Sequence, residues 1–197
     1  MLKIDRTLSV APMMNWTDRH CRFFHRILSK KTLLYTEMIN ANAILKGDRN
    51  QLLEFDPKEH PVALQIGGSD PRTLGEATKI GVDFGYDEIN LNVGCPSERV
   101  TSGFFGAILM KKPDLVARCI EEMKEKSGNC HISVKCRLGV DNQNPSLELP
   151  SFLTHVLNAG VDSITIHARK ALLGELSPKQ NRDVPNLDYN LVKKMIK

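Results

Sequence analysis

The sequence lacks any apolar run of about 18 residues, the length that a membrane-spanning helix requires. Its first six residues lead into a polar-flanked strand instead of the apolar segment of a secretory signal. These two absences predict a cytoplasmic protein.

Paired cysteines at redox or metal-ligand spacing are also absent. The five cysteines are odd in number and form no C-x-x-C pair, so we expect reduced thiols and neither a disulfide framework nor a metal site. Cys21 and Cys119 fall in predicted helices and Cys136 on the apolar side of a predicted strand, which indicates packing roles for these three.

A glycine-rich phosphate loop is missing as well. Pro12-Met13-Met14 follows the first predicted strand (8–11), so a Rossmann or P-loop nucleotide site is not expected. Pro12 and Met13 instead suit a planar, apolar ligand.

The chain does contain a regular alternation of strands and helices. Its 197 residues, 41% hydrophobic and 25% charged, fit one α/β domain. Besides 8–11, strands are predicted at 33–36, 61–66, within 86–96, at 131–137 and at 161–167. Helices are predicted at about 17–29, 40–53 with a break at Gly47, from 71, and at 113–126, 151–158 and 189–196, with a mobile loop over 139–150. This order is typical of right-handed βαβ units on a parallel sheet.

Apolar and polar residues alternate within these strands. Four strands end with a polar residue on the less apolar face: Gln65, Asn92, Lys135 and His167. In a β/α barrel the apolar face packs on the outer helices and the inward residues at the C-terminal strand ends line the active site, whereas the strands of a doubly wound sheet are apolar throughout. The pattern predicts an α/β fold of the (β/α)8 TIM-barrel type, with about six βα units in this chain.

Cys95 lies where the central strand meets a loop, between Gly94, which permits a sharp turn, and Pro96. It is a candidate nucleophile, ligand or proton donor, and a small buried hydrophobe is the alternative. Donation requires no activation, because an ordinary cysteine is mostly thiol at neutral pH.

The polar strand ends offer an amide in Gln65, a cation in Lys135 and a switchable donor in His167. Together they suit a heterocycle with imide edges and an electron-rich reduced state, although a single Gln or His at such a place is more often a structural hydrogen-bond partner. The net charge of +4 comes from residues 169–197, where seven Lys and Arg face three Asp and Glu. This segment indicates either a polyanion partner such as nucleic acid or an ordinary solvated surface.

Several motifs together resemble the tRNA-dihydrouridine synthases. They are APM at 11–13, QIGG at 65–68, NLNVGCP at 90–96, KCR at 135–137 and HAR at 167–169. Two further stretches, GFFGA at 103–107 and LSPKQNR at 176–182, resemble the A subfamily, which acts on D-loop uridines.

The resemblance implies an FMN enzyme that uses NADPH to reduce its flavin and then passes hydride from flavin N5 to C6 of a tRNA uridine, at positions 20/20a, while Cys95 protonates C5. It also implies that Gln65 and Lys135 bond the pyrimidine edge of the flavin and that His167 contacts FMN. The remaining implied contacts are Pro12, Met13 and Met14 behind the isoalloxazine, Asn92 and Arg182 at the target base, and Lys170 and Lys179 at the RNA backbone. The uridine has to leave its stack, so single-stranded or loop RNA is expected.

Barrels of this kind have eight βα units, so residues 1–197 are expected to be a partial FMN-binding catalytic barrel. The last strands, the flavin-phosphate site and the helical tRNA-binding domain of the family would lie beyond Lys197, and oligomerisation could cover the open side. Two alternatives remain: a flavin barrel acting on a free pyrimidine, and a non-catalytic RNA-binding or oligomerising remnant.

Overall fold

Residues 4–196 are described by a computed structural model, in which five parallel strands form one sheet. Each strand pairs with its neighbours in sequence, in the order β1-β2-β3-β4-β5. The strands are β1 (Leu34–Asn40), β2 (Val62–Gly67), β3 (Glu88–Val93), β4 (His131–Arg137) and β5 (Ser163–His167). This sequential parallel order is that of a β/α barrel, and the predicted fold class is confirmed.

Helices occupy the connections between the strands. They are α1 (Arg19–Leu28), α2 (Ala41–Lys46), α3 (Arg49–Leu53), α4 (Pro71–Asp83), α5 (Glu98–Thr101), α6 (Pro113–Ser127), α7 (Pro145–Asn158), α8 (Gln180–Asp183) and α9 (Tyr189–Met195), with 3₁₀ turns at Pro57–Glu59 and Gly106–Lys111. None of the helices within residues 4–196 combines the length and the apolar character needed to cross a bilayer.

The main core lies between the sheet and the helices α4, α6 and α7. The outward residues of β3, Ile89, Leu91 and Val93, are fully buried in it. Cys119 and Cys136 are also buried in this core, in agreement with their predicted packing roles. The other face of the strands is polar and is buried in β2 and β3, as expected for the interior of a barrel. In β5 it is more open, since Thr165 is exposed and His167 is half-buried.

Two aspartates brace pairs of strands at the N-terminal edge of the sheet. Asp87, just before β3, accepts the Val62 N–H at 2.7 Å and donates its own N–H to the Val62 carbonyl at 3.0 Å. Asp162, just before β5, makes the same two bonds with Ile132 of β4, at 2.7 and 2.9 Å. Each aspartate therefore fixes the register of one strand against the preceding one.

The first predicted strand is reduced to an isolated bridge. Ser9 bridges Leu33 in parallel, held by hydrogen bonds between Val10 N and the Leu33 carbonyl and between Leu33 N and the Leu8 carbonyl. Pro12 has no N–H with which to extend a ladder. Six full strands were predicted, and the first of them was wrong, because it forms a single bridge.

The predicted mobile loop over 139–150 was also wrong. Val140 bridges Ala171, and α7 begins at Pro145, six residues earlier than expected. Asn144 caps this helix by accepting from Ser146 N, and proline is favourable in the first helical turn. The break predicted at Gly47 is confirmed, since that residue ends α2.

Candidate active site

The C-terminal ends of β2 to β5 bring four polar side chains to one end of the barrel interior. Asn92 of β3 is in register with Lys135 of β4, and its Nδ2 donates to Gln65 Oε1 of β2 at 2.8 Å. His167 ends β5, in register with Arg137. The residues predicted to converge are therefore neighbours in the sheet.

Cys95 lies on a turn that Asn92 holds together. The side-chain Oδ1 of Asn92 accepts from Gly94 N at 3.1 Å and from Cys95 N at 2.9 Å. The Cys95 carbonyl accepts from Ala107 N at 2.9 Å, and Gly106, with a φ of 75°, lies so close that a Cβ there would sit 2.6 Å from that carbonyl oxygen. The thiol is thus fixed at the mouth of the barrel by its own backbone.

Burial raises the pKa of the half-buried Cys95 thiol, although a hydrogen bond to the Ser97 backbone and the charges of Arg137, Lys135 and Arg182 partly oppose this. The cysteine is therefore protonated at neutral pH. A half-buried thiol among cations can donate a proton, and the same cations can stabilise the thiolate that remains.

Lys135 is a largely unbalanced cation. Burial and the charge of Arg137 lower the pKa of its ammonium group, and none of the groups that shift it within residues 4–196 is a carboxylate. No described side chain or carbonyl accepts a hydrogen bond from it. Lys135 is half-buried, so its ammonium group is accessible to an anionic or electron-rich ligand, which would balance its charge.

His167 is half-buried and neutral. Burial, together with the cations Arg137, Lys135, Arg169 and Arg182, lowers the pKa of His167 to about 4. A neutral imidazole keeps one donor and one acceptor, so His167 can hydrogen-bond a ligand without adding charge.

Gln65 is almost completely buried, and both ends of its amide are engaged. Its Nε2 donates to Asn90 Oδ1 at 2.7 Å and its Oε1 accepts from Asn92. One hydrogen on Nε2 and one lone pair on Oε1 are left for a ligand. Asn92 likewise has one Nδ2 hydrogen that no described residue uses.

The Pro12–Met14 segment follows the bridge beside β1. The Met13 carbonyl accepts from Trp16 N and Thr17 N, and Asn15 N donates to the Glu37 carboxylate of β1. Pro12 and Met13 are half-buried, whereas Met14 is exposed. This loop presents apolar surface along the open side of β1.

The predicted RNA contacts lie on the segment after β5. Lys170 is half-buried, while Lys179 and Arg182 are exposed on and next to α8. The charge of Arg182 acts to lower the pKa of both Cys95 and His167, so its guanidinium group lies near the site.

Sequence reasoning gave no role to Arg137 or Asn181. The buried guanidinium of Arg137 donates to the carbonyls of Gly94 at 2.9 Å, Lys170 at 3.0 Å and Asn181 at 2.8 Å. Asn181 is fully buried and holds the same segment by accepting from Leu172 N and donating to the Leu172 carbonyl. Together they join the Cys95 turn to the basic segment.

The inward face of β4 offered one signal for Arg137, since it lies two residues after Lys135 on that face. For Asn181, which lies in α8, the one signal was its place in the LSPKQNR stretch at 176–182, because the hydrogen bonds that it makes have no sequence pattern of their own. Among the residues that the structure describes, no three or more His, Cys, Asp or Glu side chains group together as metal ligands.

Comparison with known proteins identifies relatives of this chain. The family model described as "Dihydrouridine synthase (Dus)" matches residues 9–197. Proteins named "tRNA-dihydrouridine(20/20a) synthase" are similar to it: that of Synechocystis sp. is 58% identical over 182 residues, covering 92% of this chain and 54% of the relative. The one from Xanthomonas axonopodis pv. citri is 55% identical over 183 residues (93% and 54%), and the one from Vibrio vulnificus 54% over 183 residues (92% and 56%). The chain thus spans about half the length of these relatives.

Proposed function

The chain belongs to the dihydrouridine synthase family, and from this we propose that it reduces uridine to 5,6-dihydrouridine in the D-loop of tRNA. The names of its relatives, tRNA-dihydrouridine(20/20a) synthases, support positions 20/20a as the target. The observation that carries the proposal is Cys95, a half-buried thiol held at the barrel mouth beside Lys135 and Arg182.

FMN fits the residues present at this site. The unbalanced ammonium of Lys135 suits the pyrimidine edge of a flavin that becomes electron-rich on reduction, and Gln65 and His167 retain donors and acceptors for its polar atoms. Pro12, Met13 and Met14 supply the apolar surface behind the ring. A bound flavin, with NADPH as the source of electrons, supplies the hydride that goes to C6 of the uracil ring.

The proton of the reaction comes from Cys95. Its thiol gives a proton to C5 as the hydride reaches C6, so the S–H bond breaks and a C–H bond forms. The thiolate left behind lies among Arg137, Lys135 and Arg182, whose charges stabilise it until solvent returns a proton.

The segment after β5 is the proposed RNA-binding side. Arg182 and the free amide hydrogen of Asn92 reach the target base, and Lys170 and Lys179 contact phosphates. A base must be flipped out of its stack to reach the thiol, which favours a loop of the tRNA. Residues 1–197 would then be part of a catalytic barrel, and oligomerisation through its open side stays a prediction.

The test measures flavin binding and uridine reduction by the purified chain. FMN is added and followed by its visible absorption, and tRNA is then incubated with the loaded protein and NADPH. Dihydrouridine is detected in nuclease digests by mass spectrometry. We expect wild-type protein to form it and Cys95→Ala to lose at least about a hundredfold in rate, the usual contribution of a general acid.

Cys130→Ala is the matched control, because Cys130 is also a half-buried thiol but precedes β4 at the opposite end of the sheet. It should keep wild-type activity. Equal rates in wild type and Cys95→Ala, or reduction of free uracil in preference to tRNA, would contradict the proposal.

A further inference from the structure

A continuous row of hydrogen bonds crosses the interior of the barrel beneath the site. It begins at Glu88, whose carboxylate accepts from Arg6 Nη2 at 2.6 Å and from the hydroxyls of Tyr35 at 2.8 Å and Ser133 at 2.5 Å. Glu88 and Ser133 are buried and lie on adjacent strands. Neither residue has a place in the proposed chemistry.

Three amide side chains continue the row toward Cys95; we call Asn90, Gln65 and Asn92 the amide row. Asn90 Nδ2 donates to Ser133 Oγ at 2.7 Å, Gln65 Nε2 donates to Asn90 Oδ1 at 2.7 Å, and Asn92 Nδ2 donates to Gln65 Oε1 at 2.8 Å. All three are buried. The row ends where Asn92 Oδ1 accepts from the Gly94 and Cys95 N–H groups.

Both ends of the row require the same donor-to-acceptor direction for its hydrogen bonds. The Glu88 carboxylate, paired with Arg6, accepts only, so the Ser133 hydroxyl must donate to it and accept from Asn90. At the other end backbone N–H groups can only donate, so Asn92 must turn its oxygen toward Cys95 and its Nδ2 toward Gln65. Each amide can therefore take one orientation, and the two ends agree on it.

We propose that Ser133 and Asn90 are positioning residues that keep the amide row in this orientation and thereby hold the Cys95 turn. If the Ser133 hydroxyl is removed, Asn90 loses its acceptor, and only the Gly94 and Cys95 N–H groups still hold the amides in this orientation, so Asn92 rotates more often. A rotated Asn92 would turn donors toward the N–H groups of Gly94 and Cys95, and the turn would open. A role of Ser133 and the amide row in catalysis rests on the proposed function.

Hydrogen exchange at the Gly94 and Cys95 amides, resolved by NMR on the labelled full chain, reports directly on the far end of the row. In Ser133→Ala we expect both amides to exchange at least about fivefold faster, the factor that corresponds to the loss of about one net hydrogen bond. The amides inside β3, which pair with strand neighbours, should keep their wild-type rates.

Two further variants separate the hydroxyl from simple packing. Ser133→Thr keeps the hydroxyl and should restore slow exchange. Ser163→Ala is the matched control, because Ser163 is the strand partner of Ser133 but its hydroxyl bonds His131 Nε2 at 2.8 Å and lies outside the row. It should leave both amides unchanged.

If Ser133→Ala does not fold, Ser133→Cys fills the same space while its thiol bonds only weakly, and it should show the same acceleration to a smaller degree. Wild-type exchange in a folded Ser133 variant without the hydroxyl overturns the proposal. So does equal acceleration in Ser163→Ala, or a folded Ser133→Thr that does not restore protection.

The exchange measurement needs neither flavin nor tRNA. Accelerated exchange in a chain that reduces no uridine would refute the proposed function and leave the positioning role intact. In an active chain, Ser133→Ala should lower kcat by a larger factor than it raises KM for tRNA, because the row ends at the Cys95 turn and Ser133 itself touches neither substrate nor cofactor.

Discussion

Arg137 joins the Cys95 turn to the basic segment, so its removal should loosen both. In Arg137→Met the side chain keeps an unbranched apolar stem but loses all three hydrogen bonds, to the carbonyls of Gly94, Lys170 and Asn181. In Arg137→Lys the charge stays, but a compact ammonium group cannot span the three carbonyls as the planar guanidinium does.

The size of the effect follows from these contacts. A hydrogen bond to a charged group contributes about 1.5–3 kcal/mol, so three bonds set an upper limit of roughly 5–9 kcal/mol. The burial of the guanidinium, which lowers the pKa of Arg137 to about 10, offsets part of this gain. We therefore expect Arg137→Met to lower the free energy of unfolding by about 2–4 kcal/mol and Arg137→Lys by about half as much.

Urea unfolding followed by far-ultraviolet circular dichroism measures the global effect, and brief trypsin digestion measures the local one. Cleavage after Lys179 and Arg182 should accelerate in Arg137→Met under native conditions, because α8 loses its anchor. The control is Arg118→Met on the exposed surface of α6, which should change stability by less than about 0.5 kcal/mol.

A folded Arg137→Met with wild-type stability and wild-type cleavage would refute this reasoning. A loss of stability without faster local cleavage would also count against it, since Arg137 would then brace the core and not the two loops.

Two further predictions concern stability and pH. Asp162→Ala should lower the free energy of unfolding by about 1–3 kcal/mol, because it removes the charged acceptor of the Ile132 N–H, whereas Asp162→Asn should keep most of that bond. Burial alone would raise the pKa of Asp162, but the hydrogen bonds from Ile132 and Lys124 outweigh it and lower that pKa. The contribution of Asp162 to the free energy of unfolding is therefore full above the unfolded pKa near 4 and is lost as pH falls below it. Urea titrations from pH 7 to 3 should show that Asp162→Asn loses less stability in acid than the wild type. His167 behaves in the opposite sense, since its folded pKa of about 4 lies below the unfolded value near 6.5 and the unfolded state binds the proton first. Stability should therefore fall between about pH 6.5 and 4 in wild type, and the same titration of His167→Gln should show a flatter profile.

The alternation within the strands was the most informative part of the sequence for the fold. It identified the inward face that carries Gln65, Asn92, Lys135 and His167, because side-chain direction follows from the period of a strand alone. The segment at 8–11 misled the prediction, since its composition is that of a strand but its ladder ends at Pro12. Over 139–150 polar composition concealed the Asn144 cap, which a search for helix starts would have found.

The candidate site, like the fold, could be predicted from the sequence only in part. Motif and strand position located Cys95 and Lys135, but not the network that holds them. Arg137 bonds carbonyls 33 and 44 residues further along the chain, and backbone acceptors have no sequence signature. The direction of the amide row likewise depends on two ends, Glu88 and Cys95 N, that only the folded chain brings into line.

The paired braces at Asp87 and Asp162 suggest a modular construction. Each lies two residues after a glycine in the left-handed region, Gly85 and Gly160, with φ of 91° and 86°, and each ties its own strand to the one before. The entry to β4 has no such aspartate. At its N-terminal edge the sheet is therefore tied together in pairs, β2 with β3 and β4 with β5, whereas β3 and β4 are joined inside the barrel by the bonds of Ser133 to Asn90 and Glu88. A circular permutation or a graft that cuts after β3 would keep both aspartate ties but lose those interior bonds.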